Sequence, residues 1–275
     1  MLGAMPRLVV QLSDTHIRKA GELAEGRVDT AAALARAVSA VSDLPQAAVA
    51  VIVTGDLVDS GKPAQYEHLR ELFAPLACPV YLLPGNHDDR DALRRAFATH
   101  AHLQEGSRSY IHYAVELDGL RLVFLDTSVT GAAHGELDDA QLAALDATLA
   151  ARPDVPTLLA MHHPPFKTFI ERMDDYGLQR GGQGLARVLA RHAQVDRIVC
   201  GHLHRTITGT FAGRPAMTAP STAHALAFDL GPDAPLAFTL EPAGFLVHAW
   251  SVPGEIASHV VHADAYDGPY AFRFS

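Results

Sequence analysis

Strand-length apolar runs recur at Leu8–Leu12, Val49–Thr54, Val80–Leu83, Thr157–Ala160 and Ile198–Cys200, each cut off by glycine or polar residues. Runs this short and continuous read as strands covered on both faces. Between them the apolar positions take helical spacing, at Thr30–Val41 with Asp29 as N-cap, Pro63–Phe73, Asp89–Ala98, Asp138–Ala150 and Gly184–His192. Strand and helix in alternation predict a parallel sheet. Ile111–Leu117 and Leu120–Thr127 flank Asp118-Gly119, a strong hairpin signal, so an antiparallel pair joins there.

Past Thr206 the pattern changes to short strands parted by Gly and Pro: Thr206–Phe211, Pro215–Thr218, Ala223–Phe228, Gly244–Ser251 and Glu255–His262. These predict a second, antiparallel sheet. Two mixed or antiparallel sheets packed face to face with helices outside make an α/β fold, a four-layer αββα sandwich. The expectation is a single domain over residues 1–275 with a C-terminal antiparallel β region from residue 206.

With 275 residues, 48% of them hydrophobic, the chain can bury a sizeable core. Its longest apolar stretches, such as Ala47–Val53 and Thr157–Met161, fall far short of the ~20 residues that span a bilayer. Met1–Val10 has one Arg and no long apolar centre, unlike a signal peptide. A soluble, cytoplasmic protein without membrane association is the expectation. The net charge of −9 argues against binding polymeric nucleic acid, which needs a cationic surface. Two cysteines, Cys78 and Cys200, make no disulfide framework, and Cys200 reads as a buried strand residue.

The ends of the five long runs carry the chemistry. They are Asp14-Thr15-His16, Gly55-Asp56, Gly85-Asn86-His87-Asp88, His162 and Gly201-His202-Leu203-His204. Strand ends are where α/β sheets place function. In Asp-x-His and His-x-His, alternate side chains of an extended segment point to one side, so each pair can grip one ion or two neighbours. Carboxylate, amide oxygen and imidazole together suit Mn, Fe, Zn or Co. Asp14, His16, Asp56, Asn86, His162, His202 and His204 supply a set large enough for two ions.

Together these segments resemble the calcineurin-like metallophosphoesterase superfamily, from Asp14 to His204. More narrowly, Pro84-Gly85-Asn86-His87-Asp88-Asp89, Met161-His162-His163-Pro164-Pro165 and Met173-Asp174 resemble bacterial class III cyclic-nucleotide phosphodiesterases and glycerophosphodiesterases. The resemblance implies Asp14, His16 and His204 on one ion, Asn86, His162 and His202 on the other, and Asp56 as the bridge. Two divalent ions, or Fe(III) with a divalent ion, would then share a hydroxide for in-line attack and clamp the phosphoryl oxygens.

The resemblance also implies that His87 faces the phosphate as a donor rather than a ligand. The Asp59 carboxylate is the natural group to orient its imidazole. Asn86, His87, His163 and Arg18 are expected to meet the substrate, a small phosphodiester. Ser60 and Asp88 stand where the family's protein phosphatases carry Arg and Glu, which argues against a protein substrate. A phosphomonoesterase or nucleotide pyrophosphatase on the same core is the alternative. A catalytically silent scaffold is the alternative of another class, and scaffolds typically lose ligands that this chain keeps. A homo-oligomer is expected, with Phe166–Gln179 or the C-terminal region at its interface.

Overall fold

The computed structural model describes residues 5–251 and 255–273. Residues 1–4, the start of the Met1–Val10 segment, lie outside the described residues.

The chain runs through β1 (Arg7–Leu12), α1 (Thr30–Ser42), β2 (Ala50–Thr54), α2 (Pro63–Phe73), β3 (Val80–Leu83), α3 (Arg90–Ala96), α4 (Ala101–Gln104), β4 (His112–Leu117) and β5 (Leu120–Leu125). It continues with β6 (Gly135–Glu136), α5 (Asp139–Ala150), β7 (Thr157–Met161), α6 (Glu171–Asp174), β8 (Leu178–Arg180), α7 (Gly182–Ala190) and β9 (Val195–Cys200). Last come β10 (Thr208–Phe211), β11 (Arg214–Thr218), β12 (Ala225–Leu226), β13 (Phe238–Thr239), β14 (Gly244–Trp250) and β15 (Ile256–His262). Asp29, Asp89 and Asp138 cap α1, α3 and α5, each carboxylate accepting a first-turn N–H. Their short polar side chains stop the helices one residue inside two of the expected starts.

Two large sheets form the sandwich, ordered β15-β14-β1-β2-β3 and β10-β11-β9-β7-β5-β4. Each has a parallel centre with antiparallel strands at an edge. The fold is therefore the expected αββα sandwich, but the strands past Thr206 do not form one second sheet: β12 and β13 pair only with each other, and the rest join the two large sheets. The β10–β11 hairpin extends the second sheet beside β9, and β14–β15 extends the first beside β1. An open sheet edge leaves unpaired N–H and C=O groups, and these late strands cover two of them.

Alternation within the strands explains the continuous apolar runs. In β5, Leu122 and Phe124 enter the layer between the sheets, whereas Val123 and Leu125 face outward with Leu145 and Leu149 of α5 and Leu185 and Leu189 of α7. Leu158 and Ala160 of β7 divide from Leu159 and Met161 in the same way. Both faces are buried, so neither can be polar. The carboxyl ends of β1, β2 and β3 in one sheet and of β7 and β9 in the other come together, so the five motif-bearing ends converge from two sheets rather than along one edge.

Candidate metal centre

Beyond the last paired residues the loops stay bonded to one another. Asp14 N–H donates to Gly55 O, His16 N–H to Asp56 O and Ile17 N–H to Leu57 O, which zips the loop after β1 onto the loop after β2. Gly201 N–H donates to His162 O and joins the ends of β9 and β7. The two sheets are tied at His202, whose N–H donates to both Asp14 carboxylate oxygens at 2.9 and 3.1 Å.

Sharp turns at these ends carry a conformational cost. Asp14, His16, Asp56, His202 and His204 all have positive φ, between 43° and 71°. For residues with a Cβ that conformation costs on the order of 1–3 kcal/mol each, and it persists where the surroundings impose it. Close approach adds a second requirement. A Cβ at Gly55 would lie 2.2 Å from His162 Nδ1, one at Gly85 2.2 Å from Asp56 Oδ1, and one at Gly201 2.2 Å from Ser13 Oγ. The glycines before the candidate ligands are therefore spaces for the neighbouring loops.

The expected ligands fall into two groups. Donor atoms of Asp14, His16, Asp56 and His204 lie within 4.8 Å of one another, as do those of His162, His163 and His202. Asp56 Oδ2 stands 3.6 Å from His16 Nε2 and 3.4 Å from His162 Nε2, between the groups. Its Oδ1 accepts from His87 N–H at 2.9 Å. Asn86 Oδ1 lies 3.1 Å from His162 Nε2.

Three backbone carbonyls fix the tautomers. His162 Nδ1–H donates to Thr54 O, His204 Nδ1–H to His224 O and His87 Nδ1–H to Asp59 O, at 2.8, 3.1 and 2.8 Å. A carbonyl only accepts, so Nε2 of each ring is turned toward the site. Burial pushes His202 down to about 3 and His204 to about 4, which keeps both rings neutral. His162 behaves oppositely: burial pulls it down, but the Asp56 charge, the hydrogen bond to Asp56, the Asp14 charge and the Thr54 carbonyl together hold it up at about 9. Burial drives Asp14 up to about 7 against the pull of His162.

These residues fit divalent ions. His202 Nε2 is buried with no hydrogen-bond partner among the described residues. The Nε2 atoms of His16 and His204 face each other at 3.0 Å. Bare imidazole nitrogens converging on buried carboxylates form the donor set of a metal site with ring orientation fixed from behind.

Three expected contacts fall differently. The carboxylate of Asp59 does not reach His87; the Asp59 backbone carbonyl does, and the carboxylate pairs with Arg18 Nη1 at 3.5 Å. Arg18 sits between Asp59 and Glu22 and does not line the cavity. The arginine that lines the cavity is Arg27, which has no ion-pair partner among the described residues. His163 is 0% exposed, packs against His202 with ring centroids 4.7 Å apart, and does not line the cavity. Both its nitrogens are occupied: Nε2–H donates to Ala133 O, and the Thr127 hydroxyl donates to Nδ1.

Sequence reasoning passed over His224. Its ring sits 4.6 Å from that of His204 and 5.6 Å from that of His16, and it lines the cavity. Ser221 Oγ–H donates to Asp14 O and anchors the loop that carries it. The available signal was position: Ser221–His224 follows β11, whose carboxyl end opens on the same edge as that of β9. Asp88 was also undervalued. Its carboxylate accepts from the N–H groups of Leu57, Val58 and Gly85 and from the Tyr66 hydroxyl, which locks the loops after β2 and β3 together.

The cavity above the centre measures about 770 Å³. Its floor is His16, Asp56, Asn86, His87, His202 and His204, and one wall is apolar, with Met173, Tyr176, Leu226, Leu236 and Phe238. Among the described residues no helix is long and apolar enough to cross a membrane.

Comparison with known proteins agrees with this geometry. Residues 7–206 match the calcineurin-like phosphoesterase family. The chain is 36% identical over 265 residues to a probable glycerophosphodiester phosphodiesterase of Arcobacter nitrofigilis, covering 96% of each. It is 31% identical over 214 residues to the 3',5'-cyclic adenosine monophosphate phosphodiesterase of Escherichia coli, covering 78% of this chain and 75% of that one. In fold it superposes on a dimetal phosphatase from Danio rerio with a TM-score of 0.67 at 15% identity, covering 94% of this chain and 97% of that one.

Proposed function

The chain belongs to the calcineurin-like phosphoesterase family, and from that premise we propose that it hydrolyses small phosphodiesters, glycerophosphodiesters or cyclic nucleotides, at a dinuclear metal centre. The observation that carries this reading is the convergence of Asp14, His16, Asp56 and His204 beside His162 and His202, with His16, Asp56, His202 and His204 opening onto one cavity.

In this reading Asp14, His16 and His204 hold one ion, Asn86, His162 and His202 the other, and Asp56 lies between them. Two ions of the Mn, Fe, Zn or Co class would supply Lewis acidity and a lowered pKa for water. His87 contributes a positioned proton. With Nδ1–H committed to Asp59 O, its Nε2 faces the cavity and serves a nonbridging phosphoryl oxygen or the leaving oxygen. Burial lowers the pKa of this imidazole, but the Asp56 charge, the Asp59 carbonyl and the Asp59 and Asp88 charges together raise it, which favours the protonated, donating form. The apolar wall accommodates the ester groups, and His224 and Arg27 border the space where they lie.

A cytoplasmic setting is part of the proposal, supported by two unpaired cysteines. So are a homo-oligomer and the exclusion of polymeric nucleic acid. Phe166 packs against the outer core and Ile170 is buried, but Phe169 is 70% exposed, which supports a contact there. The deciding experiment reconstitutes the protein with Mn, Zn or Co and assays bis(p-nitrophenyl) phosphate, a cyclic nucleotide and glycerophosphoethanolamine. Protein that binds two metals and hydrolyses none of them would defeat the proposal.

A further inference from the structure

Polar side chains outside the metal centre run in an unbroken line through the apolar layer between the sheets. Gln11 and His248, on the neighbouring strands β1 and β14, are both 0% exposed. Ser258 of β15 stands directly opposite His248 in the ladder. Arg197 reaches across from β9 of the other sheet, with Nη1 donating to Ser258 Oγ at 2.5 Å and Nη2 to Ile256 O at 2.6 Å.

Donor and acceptor types set the direction of the bonds from Arg197 to Ser13. Arg197 only donates, so the Ser258 hydroxyl accepts from it, and with a neutral His248 whose Nε2–H faces Gln11 Oε1, the hydroxyl's own proton goes to His248 Nδ1 at 2.6 Å. His248 Nε2–H donates to Gln11 Oε1 at 3.1 Å. The Gln11 amide donates to Cys200 O at 2.9 Å, which sets its orientation, and to Thr54 Oγ1 at 2.8 Å. The Thr54 hydroxyl donates to Ser13 Oγ at 2.8 Å, and the single Ser13 proton has two acceptors beside it, Thr54 O at 3.3 Å and the Asp14 carboxylate, whose charged form it favours. This order needs a neutral His248, and burial and then Arg197 push that ring down to about 3.

The line therefore starts at the Arg197–Asp196 ion pair and ends beside the Asp14 carboxylate, with the bonds from Ser258 through His248, Gln11 and Thr54 to Ser13 all running toward the centre. Aligned bonds in a dry interior polarise one another, by roughly 10–30% per bond. We propose that Arg197, Ser258, His248, Gln11, Thr54 and Ser13 act as one oriented chain of positioning residues that fixes the Asp14 carboxylate and raises the affinity of its metal site. Gln11 serves this twice, because its bond to Cys200 O also holds the strand that leads into His202 and His204. The proposal rests on the reading of Asp14 as a metal ligand.

The test is calorimetric titration of metal-free protein with Mn or Zn, alongside thermal unfolding. Ser258→Ala removes a hydroxyl remote from the centre and is expected to weaken binding of one of the two ions about tenfold, the low end for outer-shell partners. Ser258→Thr keeps the hydroxyl and should restore wild-type affinity. Ser13→Ala should weaken the same ion on the order of 10–100-fold. If Ser258→Ala does not fold, Arg197→Gln at the more exposed end carries the same expectation. A folded variant with a lowered Tm and two wild-type affinities would reduce the chain to a tie between sheets and overturn the proposal. A wild-type protein that binds no ion would overturn the metal reading itself, and the proposal with it.

Discussion

The imidazole of His87 is held by the backbone of Asp59: Nδ1–H donates to the Asp59 carbonyl at 2.8 Å, while the Asp59 carboxylate turns to Arg18. A main-chain acceptor cannot be removed by changing a side chain. His87→Ala should therefore keep both metals and lose on the order of 10²–10⁴-fold in kcat, the scale for one positioned acid–base group. Asp59→Asn should fall much less, since the orienting carbonyl remains. Metal analysis beside kcat decides the matter: loss of metal from the His87 variant would make His87 a ligand, and a large kcat loss in Asp59→Asn would give the carboxylate a direct role.

Asp56 stands between the two candidate ion sites, with Oδ2 within 3.6 Å of an imidazole nitrogen from each group. A carboxylate there offsets repulsion between two cations, and an amide of the same shape does not. Asp56→Asn is expected to lose more metal and more rate than any other ligand substitution. Two metals per chain and near-normal turnover in the purified variant would show that Asp56 is no bridge.

The candidate ligands were legible because each follows an apolar run, and a run that stops at Gly-Asp, Gly-Asn-His or Gly-His-x-His announces its own strand end. What stayed hidden depended on relations between strands. His224 enters the cavity because β11 lies parallel to β9, and nothing within Ser221–His224 states that pairing. The alternation in Gly244–Trp250 marks a strand without saying that it adds to β1. Proximity in sequence pointed to the Asp59 carboxylate and to Arg18, but the path of the loop satisfied these two with each other. Gln11 and His248 lie within apolar strands separated by most of the chain, and only the pairing of those strands brings them together.

Gly85→Ala gives a test of geometry without changing any ligand. The new Cβ would meet Asp56 Oδ1 at 2.2 Å and the Asp56 backbone N at 2.3 Å, and backbone cannot swing aside as a flexible side chain does. Asp56 and Asn86 would be pushed apart, so metal occupancy should fall even though all seven candidate ligands remain. Circular dichroism should stay close to wild type, because β2 and β3 end before this contact. A Gly85→Ala protein with full metal content would mean that the loop relaxes at no cost to the centre.

Small diesters should be hydrolysed with higher kcat/KM than the corresponding monoesters. A diester brings one negative charge and two ester groups, which suits a floor of metal and His87 beneath a wall of Met173, Tyr176, Leu226, Leu236 and Phe238. A monoester dianion calls for additional fixed cation, as phosphoryl-transfer sites provide with arginine. Arg18 is neutralised by Glu22 and Asp59, and Arg27 shares the cavity lining with the Glu25 carboxylate two residues away, so the protein adds little net positive charge there. The comparison is p-nitrophenyl phosphate against bis(p-nitrophenyl) phosphate, each with Mn, Zn and Co. Arg27→Ala should narrow the monoester rate further while leaving metal content unchanged. Monoester preference with every metal would overturn the diesterase assignment and leave the two-metal site standing.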